Sequence, residues 1–231
     1  MFYFDWTIII IIPAIILALY AQMKLSSTFS KYSRVASATG MTGAQVAAKI
    51  LNAAGIHDVR IEHIRGHLTD HYDPSSKILR LSDDVYSSVS VAAAGVAAHE
   101  TGHAIQHKVG YSPLGLRSAI VPVVNFGSNL AWPLVIIGLL FTQAAPHISQ
   151  IFVNIGVIGF GMVVVFSLVT LPVEFNASAR AVSILSGFLS AKETKMVKQV
   201  LSAAAMTYVA AAANAVLQLI RILIITGRRR D

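Results

Sequence analysis

Along the 231-residue chain, long apolar blocks alternate with one extended region of mixed polarity. Residues 6–22, WTIIIIIPAIILALYAQ, form an apolar run of about the length that crosses a bilayer. Two more runs follow at 119–141 and 148–170, joined by the uncharged TQAAPH. So short a link predicts an antiparallel transmembrane hairpin. A fourth run, residues 203–227, carries Asn214, Gln218 and Arg221 at i, i+4 and i+7, one polar stripe on a helix. We read it as a helix packed on the water-facing region or lying at the cytoplasmic leaflet, because an Arg inside the bilayer costs about 2.5 to 3.5 kcal/mol. A fourth span is the alternative.

Residues 24–118 mix both signs of charge with short periodic segments and suit a folded, water-facing unit. Thr42 can cap a helix over GAQVAAKILNAAG, with Gly55 as its stop. DVRIEHI, HLTDHYD and KILRLS read as three short strands, separated by Gly66 and the Asp73-Pro74-Ser75-Ser76 cluster. Asp83, Asp84 and the serines at 87, 88 and 90 offer caps for a second helix, VAAAGVAAHETGHAIQH.

Charge fixes an orientation for these blocks. No Lys or Arg lies in residues 1–23 or 118–179, and the flank MFYFD holds only Asp5, which fits poorly with a cleavable secretory signal. Lys24, Lys31 and Arg34 follow the first run, and Lys192, Lys195 and Lys198 follow the third. By the positive-inside rule the N-terminus is outside, while residues 24–118 and those beyond 171 are cytoplasmic. A fourth span would carry Arg228, Arg229 and Arg230 outside, against that rule. The net charge of +7 has no dense basic stripe with interleaved aromatics, so anionic lipid rather than nucleic acid is its expected counterpart. With 55% hydrophobic and 13% charged residues, the composition is that of a membrane protein. No cysteine is present, so any metal must be held by His, Asp or Glu.

The chemistry concentrates in AAHETGHAIQH, residues 97–107. On a helix His99 and His103 project from one face and can chelate a single ion. Glu100 sits about 100° round the axis, able to reach a water on the metal without ligating it. This H-E-x-x-H spacing is expected by chance only about 0.005 times in a chain of this composition. Gly102, between the ligands, allows close approach of a neighbouring backbone or of substrate.

A catalytic zinc of this kind needs a third protein ligand. Beyond His103 the candidates are His107, His147, Glu174, Glu193 and Asp231. His107 is one turn further along the same helix, too far from His99. The topology puts His147 across the membrane, Asp231 is terminal, and Glu193 in AKETKMVKQ is explained by salt bridges with its lysines. Glu174 is left, in LPVEFNASARA, where Pro172 suits the first turn of a new cytoplasmic helix. Arg180 either steadies developing negative charge or pairs with a lipid phosphate, and His107 either orients a ligand or is an ordinary helix-end histidine. His63, His67 and His71 read as strand and turn residues rather than a second metal site.

AAHETGHAIQH, LPVEFNASARA, the upstream HYDPSSKILRLS and the terminal RRRD resemble the YugP-like neutral zinc metallopeptidases of bacterial membranes over essentially the whole chain. The two catalytic motifs are also similar to those of the HtpX-like and CAAX prenyl protease group. That group commonly carries an Asp shortly after its ligand glutamate, whereas here Asn176, Ala177 and Ser178 follow. The resemblance implies one catalytic Zn2+ on His99, His103 and Glu174, Glu100 as base, and a zincin-like (gluzincin-type) protease unit. It supplies no substrate.

The expected molecule is therefore a mostly α membrane protein with a small sheet, held by three or four transmembrane helices. Its parts are an anchor (1–23), a catalytic region (24–118), a transmembrane hairpin (119–171) and a third-ligand segment with a C-terminal helix (172–231). The expected function is that of a multi-pass plasma-membrane zinc endopeptidase facing the bacterial cytoplasm and cutting polypeptides, membrane proteins above all, near the bilayer. Two rivals stand beside it. An intramembrane protease would need a longer, continuously apolar motif helix, and a non-catalytic zinc-stabilised scaffold would have no need of Glu100. Self-association stays open.

Overall fold

The computed structural model describes residues 6–227; Asp5 and its flank, Arg228, Arg229, Arg230 and Asp231 lie outside the described residues. A 3-10 turn, Trp6–Ile10, precedes α1 (Ile12–Ser33) and α2 (Gly43–Ala53). Three strands follow, β1 (Arg60–His63), β2 (His71–Asp73) and β3 (Ile78–Leu81), then α3 (Val91–Lys108), α4 (Ser112–Leu140), α5 (Pro146–Leu185) and α6 (Ala191–Gly227). Four helices, α1, α4, α5 and α6, are long and apolar enough to cross a membrane. The chain divides into two compact units. One comprises Met1–Tyr20, Leu116–Leu171 and Tyr208–Asp231; the other comprises Ala21–Gly115 and Pro172–Thr207.

The second of these contains most of the region that the sequence reads as water-facing. Thr42 caps α2 in a reciprocal box with Gln45, and Gly55 ends the following turn at φ +64°, as the sequence predicts. The sheet has the order β1-β3-β2, β1 parallel and β2 antiparallel to β3. HLTDHYD forms a strand only in its second half. Leu68 adopts φ +52°, and Asp70 turns to accept from the Ser82 N–H and hydroxyl, so the first half is spent on a turn. Leu79 and Leu81 face a core shared with Phe29 and Tyr32 of α1, Val85, and Ala92, Ala93 and Ala97 of α3. The helix carrying the first apolar run thus continues past Lys24 to supply core residues.

Ser90, not Asp83 or Asp84, caps α3 by accepting from the Ala93 N–H at 3.1 Å. Asp83 takes His63 (2.7 Å) and the Gly66 N–H (2.9 Å), and Asp84 takes His67 (2.5 Å). His63 and His67 are therefore paired separately, and neither joins a metal-binding group with His71 among the described residues. Glu193 also departs from expectation. It is a buried cap rather than a salt-bridge partner, accepting from the Ser190 hydroxyl (2.6 Å), the Ser190 N–H (3.0 Å) and the Ala38 N–H (2.7 Å). The Ser190 hydroxyl first, then the Ala38 N–H, outweigh burial and hold its carboxyl down at about 2.

In the other unit, α4 and the spanning part of α5 form the antiparallel hairpin, joined by residues 141–145. Glycines set the spacing: a Cβ on Gly156 would lie 2.9 Å from the Ala131 carbonyl oxygen, and one on Gly138 2.9 Å from that of Ser149. Lipid offers no hydrophobic drive between helices, so such close approach is how spans gain contact. Two expectations change. Pro172 does not start a helix, because α5 runs unbroken through it. Proline removes one N–H and frees one carbonyl, while the rest of the ladder continues. Likewise α6 is a single 37-residue helix whose apolar end belongs to this unit. Its Arg221 donates to the Thr7 hydroxyl (3.1 Å) and stacks over Trp132 (5.9 Å), so the charge that weighed against a span has partners inside the unit.

Candidate metal centre

α3 places the first two candidate ligands. Fourteen of its 18 residues are buried, including His99, Glu100 and His103, and the alanines around them let neighbouring elements pack close. The third comes from α5. A Cβ on Gly102 would sit 2.9 Å from the carbonyl oxygen of Ala177 and 3.3 Å from its Cα, so only glycine allows α3 and α5 this approach. Glu174, one turn before Ala177, is 2% exposed and directs Oε2 to His99 Nε2 at 3.2 Å and His103 Nε2 at 3.6 Å. One donor atom from each residue lies within 4.8 Å of the others, and no other such group of three occurs among the described residues.

The remaining ring nitrogens show why both Nε2 atoms are available. Gln106 donates from its amide nitrogen to the Val173 carbonyl (2.8 Å) and the Asn176 side-chain oxygen (3.0 Å). A carbonyl can only accept, so Gln106 Oε1 must face His103 Nδ1, 3.0 Å away, and that nitrogen carries the proton. The lone pair of His103 is then on Nε2. His99 Nδ1 meets the Ser178 hydroxyl at 3.1 Å, which can hold the same tautomer. Such outer partners fix ring orientation and raise ligand basicity. The donor set therefore fits zinc: two neutral imidazole Nε2 atoms and one carboxylate oxygen, converging on one point.

Glu100 makes no hydrogen bond to a described residue although it is 9% exposed. Burial raises its pKa above the ordinary carboxylate value, against the opposing influence of His99 and His103. It is a buried carboxylate beside the ligands with no structural partner of its own.

The other expected residues stand further off. Arg180 donates to Asn176 (2.7 Å), which places it three links from a ligand through Asn176, Gln106 and His103. His107 pairs with the Tyr72 hydroxyl (2.9 Å) and joins no ligand. Gln106, Asn176 and Ser178 escaped the sequence reading. The available signal was spacing: Gln106 is three residues from His103, and Ser178 is four from Glu174 on the same helix.

This geometry coincides with kinship. A family model described as "putative neutral zinc metallopeptidase" matches residues 7–227, and the chain belongs to that family. It is also 46% identical over 226 residues, 97% of this chain and 98% of the relative, to the "putative membrane protease YugP" of Bacillus subtilis (strain 168). No solved structure matches the chain. The family is one of zinc metallopeptidases, a class that acts on polypeptides, and His99, His103 and Glu174 offer the donor set such a class requires.

Proposed function

We propose that this protein is a zinc-dependent endopeptidase with a zincin-like catalytic unit, in which His99, His103 and Glu174 bind one catalytic ion and Glu100 is the general base. The observation that carries this reading is the division of labour among buried groups. Three converge on one point, the two histidines with their other ring nitrogens paired, and Glu100 is left without a hydrogen-bond partner among the described residues. When bound, zinc supplies Lewis acidity that polarises a peptide carbonyl and makes water acidic enough to attack near neutral pH. Glu100, a buried carboxylate with no hydrogen-bond partner of its own, accepts the proton from the attacking water. It then passes the proton to the leaving amine. Gln106 and Ser178 keep both imidazoles in the ligating tautomer throughout.

The active site faces the cytoplasm of a bacterial plasma membrane in this reading, on the distribution of lysine and arginine described above. Glu174 follows the end of the third apolar run, Thr170, by four residues on the same helix. That proximity along the chain favours cytoplasmic juxtamembrane segments of membrane proteins as substrates. β1 and β2, the edge strands, offer main-chain hydrogen bonds to an extended segment with little side-chain selectivity. A retained Glu100 disfavours the zinc-stabilised scaffold. The alanine-rich α3, capped by Ser90, disfavours an intramembrane motif helix.

The deciding experiment measures bound zinc and cleavage in parallel. His99→Ala, His103→Ala and Glu174→Ala are expected to lose both, while Glu100→Gln keeps stoichiometric zinc and loses turnover. Full zinc in Glu174→Ala would remove it from the ligand set, full turnover in Glu100→Gln would assign the base to another group, and no cleavage by zinc-loaded wild type would leave the scaffold. For sidedness, a tag at Ser75 should stay protected in intact cells and one in 142–147 should be labelled; the reverse pattern would invert the topology.

A further inference from the structure

Two grooves flank α6 in the water-facing unit and meet at Lys198 and Ser202, which line both. The first, about 450 Å³, is lined by Lys24, Thr28, Lys195, Lys198, Gln199 and Ser202, and no carboxylate borders it. The ammonium groups of Lys24, Lys195 and Lys198 make no hydrogen bond or ion pair with any described residue. On α6 the lining positions 195, 198, 199 and 202 fall at i, i+3, i+4 and i+7, one continuous face. The second groove, about 430 Å³, runs between α5 and α6 and is apolar, with Phe175, Val182, Leu201 and Ala205 in its wall. Ser178, the partner of His99 Nδ1, lines it too.

The placement along each helix matters as much as the charge. Lys24 is the first cation after the apolar run of α1, and Lys198 is the last before the apolar run of α6. Each is where an amphipathic lysine keeps its stem on apolar surface and its head at the phosphate level. We propose that these grooves form a binding site for an anionic phospholipid, its phosphate held by Lys24, Lys195 and Lys198 and one acyl chain in the groove that ends at Ser178. Three unpaired cations call for a multiply contacted anion, and an apolar slot opening beside them calls for a chain attached to it. A free phosphate would use the first groove alone. The site is independent of the peptidase reading, since its readout is bound lipid.

The test uses the full-length protein in vesicles or nanodiscs of phosphatidylcholine, with and without phosphatidylglycerol, and counts retained lipid by native mass spectrometry. Wild type should retain phosphatidylglycerol over phosphatidylcholine. Lys24→Gln/Lys195→Gln/Lys198→Gln should weaken that retention about tenfold or more. Lys31→Gln/Lys49→Gln/Arg65→Gln, with the same charge change elsewhere, should not, and the three Lys→Arg replacements should preserve it. Equal loss in both neutralised variants would reduce the effect to net charge and overturn the site. Displacement of the lipid by millimolar inorganic phosphate would identify a phosphate site instead. Ala205→Trp, which fills the apolar groove, should lower retention with zinc content unchanged; unaltered retention there would remove the acyl chain from the proposal. Zinc content also reports folding in every variant.

Discussion

The two units of this chain hold themselves together by opposite means. In the unit that holds the candidate metal centre large apolar side chains turn inward, Leu79, Leu81 and Leu185 being fully buried, and the buried Ser82, Gln106 and Glu193 are tied into hydrogen bonds. In the other unit the large apolar side chains turn outward, Phe126 at 71% and Leu140 at 75% exposure, while glycines occupy the contacts. Water pushes apolar surface together; lipid does not, so close backbone approach replaces it. One spacing device nevertheless appears in both: Gly102 against Ala177, and Gly156 against Ala131. Glycine sets the approach of a candidate ligand in one unit and of a helix pair in the other.

Adding one methyl group at each position separates these roles and gives the largest expected effect. In Gly102→Ala the new Cβ would stand 2.9 Å from a backbone oxygen of α5, which must yield, and Glu174 moves with it. Overpacking of this kind costs about 1 to 3 kcal/mol, and displaced ligands are expected to cut turnover about a hundredfold. In Gly156→Ala the Cβ meets Val135 and Ala131, so stability in detergent should fall by a similar amount with zinc content unchanged. Zinc titration and thermal unfolding of both variants would show it. Zinc loss from Gly156→Ala alone would reverse the assignment of roles.

A smaller effect tests the polar half of the contrast. Gln106→Ala and Ser178→Ala each leave an Nδ1 without its partner while the three ligands remain. Zinc affinity should fall about tenfold in each, the low end for outer partners of zinc ligands. Isothermal titration against a competing chelator reads this directly. Gln106→Glu, which still accepts from His103 but cannot donate to Val173, should fall between wild type and Gln106→Ala. Unchanged affinity in Gln106→Ala would mean that tautomer control does not come from the amide.

How much of this was legible in the sequence follows the same divide. H-E-x-x-H is contiguous and lies on one helix, so spacing alone placed His99, Glu100 and His103 together. Glu174 was reached because so few acids and histidines follow His103. The chain's length and apolar blocks yielded four long helices, and Thr42, Gly55 and Ser90 behave as their chemistry suggests. Gln106, Asn176 and Ser178 were hidden because their importance depends on α3 facing α5, a contact 67 to 79 residues apart in sequence. Pro172 misled because local preference marks it as a helix start, while the helix on either side is long enough to carry it through. Arg221 was weighed as a lone charge against the bilayer, and its partners Thr7 and Trp132 lie far away in sequence.

The smallest effect concerns Glu193, the buried cap at the water-facing end of α6, set against Ser149, which donates to the Gly138 carbonyl at 2.5 Å in the hairpin. Both are local polar ties, but only the first contains a carboxylate. The folded Glu193 titrates at about 2, below the ordinary value of 4.5, because the Ser190 hydroxyl and then the Ala38 N–H favour its charged form. A carboxyl with a depressed folded pKa contributes stability that is complete above the unfolded value and is lost as pH falls through the folded one. Replacing Glu193 with Gln should therefore cost about 1 kcal/mol near neutral pH, the usual worth of a helix cap. The difference from wild type should shrink below about pH 4.5 and vanish toward pH 2. Taking wild type minus variant at each pH cancels the loss of zinc that acid imposes on both. Ser149→Ala should show a penalty with no such dependence. Thermal unfolding in detergent across that range would check the pair, and a Glu193→Gln difference that stays constant down to pH 2 would mean that the charge of the cap contributes nothing.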